Sequence, residues 1–175
     1  MSNGKAKGSG YERTICKMLT KWKSGKEKPY IWWRSPSSGA LATITAQNPD
    51  LTGDIISVLP EGHFLTDLFS IEIKAGYPKS SFHKFFKKVK NNEILQFWEQ
   101  SLKDCEQSKK EPMVIYKKDR QNPLLFIREQ IFNKFKQLEL IDYFVIKTGS
   151  YKICCMTMKD FFTNVSPDDI IGIKD

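Results

Sequence analysis

The sequence predicts a mixed α/β domain, and three observations carry that reading. Phe69-Ser70-Ile71-Glu72-Ile73-Lys74 alternates apolar and polar residues with period two, the mark of a half-buried strand. Two other stretches, about Gly10 to Lys23 and about Asn92 to Ser108, space their apolar residues for one face of a helix. The remaining apolar runs are short and bounded by Gly, Pro, Asn and Asp, which suits strands joined by turns. With 175 residues and 40% hydrophobic content the chain can bury one core, and no linker divides it. The expected organisation is a flexible basic arm over 1–8, a single domain over 9–163 and a tail over 164–175.

Charge and composition narrow the classes of function. A net charge of +8 and a pI near 9.2 favour a polyanionic partner, nucleic acid first. No apolar run approaches the roughly 18 residues that a membrane helix needs. Met1-Ser2-Asn3-Gly4-Lys5 leads into no apolar segment, so no signal peptide and no membrane partner are expected. A cytoplasmic location, with access to DNA, is the expectation. The four cysteines Cys16, Cys105, Cys154 and Cys155 form no C-x-x-C pair, and His63 and His83 add no zinc-ligand spacing. A disulfide framework and a histidine-dependent triad are therefore disfavoured. Cys154 and Cys155 are expected on opposite faces of one strand.

Taken in order, the first helix has the stripe Tyr11, Ile15, Met18, Leu19 and Trp22. Glu12 sits at its edge and has two readings. Ser9-Gly10-Tyr11-Glu12 matches a capping box, and the same acid is a candidate for an active site. Tyr30 to Arg34 reads as an aromatic strand. Ser35 to Gly39 is either an ordinary loop or a phosphate-facing one. Thr52 to Leu59 reads as a strand that opens on Gly53-Asp54, followed by turn residues Pro60-Glu61-Gly62-His63. A hairpin-like pairing of that strand with Phe69–Lys74 brings Asp54 towards Glu72. Asp50, in the turn Asn48-Pro49-Asp50, is a rival for the acidic role but lies outside the strand.

Phe82, Phe85, Phe86 and Val89 share one helical face, and Lys84, Lys87 and Lys88 another, either a solvated face or a phosphate contact. The helix from about Asn92 buries Ile94, Leu95, Trp98, Leu102 and Cys105. Gln96 and Gln100 on its other faces read as solvated, with a place near a site as the alternative. Met113 to Lys118 and Leu124 to Ile127 form a hairpin with Lys117, Lys118 and Arg120 at its tip. A helix over Glu129–Leu138, strands over Asp142–Lys147 and Tyr151–Met156, and a short helix over Met158–Phe162 complete the reading.

Glu72 and Lys74 stand two apart on one strand face, and Asp54 is the nearest further acid by the hairpin argument. Two neighbouring carboxylates repel unless they are protonated or bridged by a cation. Mg²⁺ takes one or two carboxylates and keeps several waters, so such a pair suits it. A bound cation would let a phosphodiester approach, and a lysine beside it can orient water or steady the phosphate. E-x-K alone is common on salt-bridged surfaces. The ordered set of helix glutamate, G-D-I and I-E-I-K in a basic chain is far more specific.

With that set the sequence resembles the PD-(D/E)xK nuclease superfamily, and within it archaeal-type Holliday junction resolvases and related phage recombination endonucleases. The matching residues are Lys7-Gly8, Tyr11-Glu12-Arg13, Arg34, Gly53-Asp54-Ile55 and Glu72-Ile73-Lys74. Phe97 to Gln100 and Lys109 to Lys117 also resemble phage endonucleases. The resemblance covers about residues 5–127. It implies a restriction-endonuclease-like fold, a central mixed sheet flanked by helices. It implies Mg²⁺ or Mn²⁺ on Asp54, Glu72 and the Ile73 carbonyl, with Lys74 serving the attacking water and Glu12 as a further catalytic acid. It implies DNA contacts by Arg13 and Arg34, and hydrolysis to 5′-phosphate and 3′-hydroxyl ends. The Asp54–Glu72 connection is longer than in compact resolvases, and the Pro-Asp pair falls at Pro49-Asp50, offset from Asp54.

Three readings of function follow. The first is a structure-selective endonuclease that cuts four-way junctions as a homodimer, since two symmetric cuts suit a two-fold dimer. The second is a restriction-like or general recombination and repair nuclease acting on duplex, flap or single-stranded ends. The third is a DNA-binding module that keeps the fold without catalysis. Lys7, Lys84, Lys87, Lys88, Lys117, Lys118 and Arg120 join Arg13 and Arg34 as expected DNA contacts in the first reading.

Overall fold

The elements follow the hydrophobic pattern closely. The computed structural model describes residues 4–35, 52–77, 92–136, 138–149 and 151–173. In chain order they are α1 (Gly4–Ser24), β1 (Trp32–Arg34), β2 (Ile55–Ser57), α2 (His63–Leu68), β3 (Phe69–Ala75), α3 (Glu93–Ser108), β4 (Glu111–Lys117), β5 (Leu124–Arg128), α4 (Glu129–Phe132), β6 (Tyr143–Thr148), β7 (Tyr151–Thr157), α5 (Met158–Asn164) and α6 (Pro167–Ile171). Short 3-10 turns precede α2 at Pro60–Gly62 and β6 at Leu138–Leu140.

Five strands form the central sheet in the order β3-β4-β5-β7-β6. β3 and β4 are parallel, with Glu72 opposite Val114 and Lys74 opposite Tyr116. A parallel pair needs a crossover, and α3 lies in the connection. The other pairings are antiparallel, including the expected β4–β5 hairpin with Met113 opposite Ile127. β1 and β2 make a separate antiparallel ribbon in which Arg34 faces Ile55. This is the mixed sheet flanked by helices that the resemblance implies.

Strand alternation divides the core into two layers. Met113, Ile115, Leu125, Ile127, Cys154 and Met156 face the larger layer, packed with Ile15 and Leu19 of α1 and Phe161 of α5. Val114, Tyr116, Phe126, Ile153 and Cys155 face the smaller layer under Ile94, Trp98 and Leu102 of α3. Cys154 and Cys155 therefore do point to opposite faces, and all four cysteines are free thiols. Trp32 is wholly buried and donates its indole N–H to the Gly62 carbonyl at 3.0 Å, which ties β1 to the turn before α2.

Several boundaries differ from the sequence reading. α1 begins at Gly4 rather than near Gly10, so residues 4–8 are helix and not arm. Ser9 and Glu12 then lie inside the helix, and the capping-box reading of Glu12 does not hold. The segment after β2 is a 3-10 turn and a helix instead of a hairpin turn. The predicted helix over Glu129–Leu138 shortens to Glu129–Phe132. The expected tail contains α6, started by a capping box in which Ser166 and Asp169 satisfy each other's amides. Among the described residues no helix is long and apolar enough to cross a membrane. The predicted helix over Phe82–Val89, with Lys84, Lys87 and Lys88, lies outside the described residues, as does Asp50.

Candidate active site

Gly53 decides where Asp54 goes. Its φ of +88° is left-handed backbone, and a Cβ there would sit 2.8 Å from both the amide nitrogen and the carbonyl oxygen of Ile71. Only glycine lets this backbone lie against β3. The contact is then closed by hydrogen bonds: the Asp54 amide donates to the Ile71 carbonyl at 2.7 Å, and the Ile73 amide donates to Asp54 Oδ2 at 2.7 Å. On the other side the Ser35 amide donates to the Asp54 carbonyl at 2.8 Å, joining the end of β1 to the same point. Asp54 thus reaches β3 through its own amide and its carboxylate rather than through a regular hairpin.

β3 presents Glu72 and Lys74 on the face that α3 covers. Lys74 Nζ lies 2.5 Å from Glu72 Oε1, with both side chains largely shielded from solvent. It also donates to Gln100 Oε1 at 3.4 Å and stands 5.5 Å from the centre of the Phe97 ring. Gln100 and Phe97 belong to α3, which Asn92 caps by accepting from the Ile94 amide. The sequence favours a solvated Gln100, whereas the fold brings it to Lys74. Asp104, one turn further along, is a residue that the sequence reading does not single out. The spacing Gln100-x-x-x-Asp104 on the polar side of the helix following the E-x-K strand is the signal that points to both.

Glu12 enters from α1, and its Oε2 lies 3.2 Å from Arg34 Nε. The two residues to which the resemblance gives catalysis and DNA binding are therefore neighbours. Their pairing replaces the cap that the local sequence offers Glu12.

The carboxylates are under electrostatic stress. Burial raises the Asp54 carboxyl to about 6; the Ile73 amide, Lys74 and Arg34 oppose this, and the Glu12 charge adds to it. Burial raises Glu72 to about 7, with the Asp54 charge pushing the same way and Lys74 opposing. Burial lowers Lys74, but Glu72 and Asp54 outweigh it, so the ammonium is held above its ordinary value. Asp54 and Glu72 therefore share one field and repel each other within it.

The donor set fits a hard divalent cation. Two shielded carboxylates that resist joint ionisation are relieved by a cation between them, and one or two carboxylates are what Mg²⁺ takes from a protein. Among the described residues no group of three or more Asp, Glu, His or Cys side chains gathers as a ready cluster. The set is thus a two-carboxylate one, with Glu12 engaged by Arg34.

The expected DNA contacts are spread more widely. Lys117 ends β4, and its carbonyl accepts from the Gly76 amide at 3.3 Å, so the β4–β5 hairpin tip adjoins the end of β3 beyond Lys74. Lys117 Nζ donates to the Gln121 carbonyl. Arg120 has a φ of 61° in the same turn as Lys118. Arg13 is exposed on α1. Lys7 falls within α1, where its backbone alone is described.

The mixed sheet with its flanking helices is consistent with the PD-(D/E)xK nuclease fold, and the family comparison places the chain in that superfamily. More narrowly, the chain belongs to the family described as "Phage putative PDDEXK endonuclease", whose model matches residues 3–172. The match extends past the 5–127 span of the resemblance and takes in β6, β7, α5 and α6. The family implies nuclease activity on DNA, and PD-(D/E)xK nucleases generally use divalent metals. No curated protein and no solved structure matches the chain.

Proposed function

We propose that the protein is a Mg²⁺- or Mn²⁺-dependent DNA endonuclease that selects branched DNA, four-way junctions first, and acts as a homodimer. The observation that carries this reading is the edge of β3, where the Ile73 amide pins Asp54 beside Glu72 and Lys74. Asp54, Glu72 and the Ile73 carbonyl would hold the ion. When bound, the ion supplies a Lewis acid that neutralises charge developing on the phosphodiester oxygens.

The chain's own residues do the rest. Asp54 is held through Oδ2, so its carboxylate is pre-oriented before substrate arrives. Lys74 orients the attacking water or steadies the added negative charge on the phosphate. Glu12 acts as a further acid from α1, and Arg34 beside it meets the phosphate backbone. Arg13, Lys117, Lys118 and Arg120, with Lys7, Lys84, Lys87 and Lys88, bind flanking phosphates. Support for junction selectivity is the resemblance to junction resolvases. Support for the dimer is the need for two symmetric cuts.

The test is incubation of the protein with four-way junction, duplex and flap DNA in Mg²⁺. Preferential cutting of the junction is expected. Glu72→Ala and Lys74→Ala should abolish cutting and leave junction binding nearly intact. Undiminished cutting by either variant removes this site. A preference for duplex or flap moves the protein to a restriction-like or general recombination nuclease. Binding without cutting in any divalent metal reduces it to a DNA-binding module.

A further inference from the structure

Lys74 lies between two sets of partners. On β3 it meets Glu72 Oε1 at 2.5 Å. On α3 it meets Gln100 Oε1 at 3.4 Å and the face of Phe97 at 5.5 Å. A divalent ion on Glu72 would compete with the Lys74 ammonium for the charge of that carboxylate, because two cations repel across it. A second set of partners for the Lys74 ammonium would ease that competition.

The face of α3 offers that place. Gln100 and Asp104 are one turn apart and lie on the same side of the helix. An amide oxygen, an aromatic face and a carboxylate are all groups that attract an ammonium. Asp104 is within electrostatic reach of both residues: its charge pushes Glu72 up, and Lys74 draws Asp104 down against the effect of its burial.

We propose that Gln100 and Asp104, with the Phe97 ring, form a second berth for the Lys74 ammonium, which takes the lysine as Glu72 turns to the metal ion. Gln100 and Asp104 are thus positioning residues that act through Lys74. The inference rests on the reading of Glu72 and Lys74 as parts of a metal-dependent nuclease centre.

The experiment titrates the full-length protein with Mn²⁺ alone, by calorimetry, for wild type, Gln100→Leu, Asp104→Asn and the double variant. Both residues are exposed overall, so the variants should melt like wild type. Without the berth Lys74 stays on Glu72 and competes with the ion. Each single variant should weaken the Mn²⁺ Kd about 5-fold, the scale of one ordinary net hydrogen bond. At saturating Mn²⁺, kcat on a cleaved DNA should fall with KM unchanged. Glu99→Gln, which removes a charge elsewhere on the same helix, should alter neither quantity. A wild-type protein that binds Mn²⁺, with both variants binding equally or more tightly, overturns the berth and leaves the nuclease reading standing. A wild-type protein that binds no Mn²⁺ and cuts no DNA overturns both.

Discussion

The Ile73 amide donates a 2.7 Å hydrogen bond to Asp54 Oδ2. One residue of β3 thus holds the acid that the preceding ribbon delivers, between the two β3 residues Glu72 and Lys74. The link exists because Gly53 lies against the Ile71 backbone.

Gly53→Ala should break this arrangement. The new Cβ meets two backbone atoms at 2.8 Å and must adopt a φ of +88°. A loss of about 2–4 kcal/mol in urea unfolding is expected from combined strain and overpacking. Cutting should fall further than stability explains, because Asp54 is carried off β3. Wild-type stability in Gly53→Ala would show that the backbone has room there.

The carboxylate pair should leave a mark on pH dependence. Burial holds the Glu72 and Asp54 carboxyls well above the ordinary 4.5 and 3.8 in the folded protein, and the Asp54 charge adds to the rise at Glu72. The folded state keeps these protons where the unfolded chain has released them. Their contribution favours folding at low pH and is lost as pH rises through about 6 to 7. Without metal, the stability gap between wild type and Glu72→Gln should therefore move against wild type from pH 5 to pH 8, measured by thermal melting. Cutting in Mg²⁺ should rise across the same window, as the carboxylates become free to bind the ion.

Metal should reverse that penalty. Mg²⁺ at about 100 times its Kd stabilises a protein that binds it only when folded by about 2.7 kcal/mol. Wild type should show the matching rise in Tm, and Glu72→Ala should not. Equal shifts in both would place the ion elsewhere.

Arg34 is expected to matter more for DNA than for folding. Its pair with Glu12 is partly exposed, and such pairs contribute about 1 kcal/mol or less. Arg34→Ala should change unfolding free energy by no more than that, and weaken DNA binding about 10-fold in fluorescence anisotropy. Unchanged affinity would limit Arg34 to holding Glu12.

The hairpin tip should govern salt dependence. Removing one cation that sits on a phosphate lowers the slope of log K against log salt by about one. Replacing Lys117, Lys118 and Arg120 together by alanine should reduce that slope by up to about three. A slope that stays the same would take the tip out of the DNA interface.

Much of this architecture is legible in the residues alone. Period-two alternation locates β3, helical spacing locates α1 and α3, and Gly53-Asp54 with Glu72-Ile73-Lys74 points to the acids and the lysine. Local patterns encode these because a strand or helix buries one face at a fixed period. Glu12 shows the limit: the box beginning at Ser9 is a sound local signal, but α1 starts at Gly4 and Arg34 takes the acid instead. Pro60 to His63 carries turn residues, but they open a 3-10 turn and α2.

The amino-acid order by itself located the main strands and helices, and it offered Asp54, Glu72 and Lys74 as candidates for phosphodiester chemistry. Only the tertiary structure decided that Asp54 meets β3 through the Ile71 and Ile73 backbone, and that Gln100 reaches Lys74. Those contacts depend on how closely two backbones approach and how a crossover helix docks. Such distances are set by packing across the whole sheet, and no periodicity within a single segment records them.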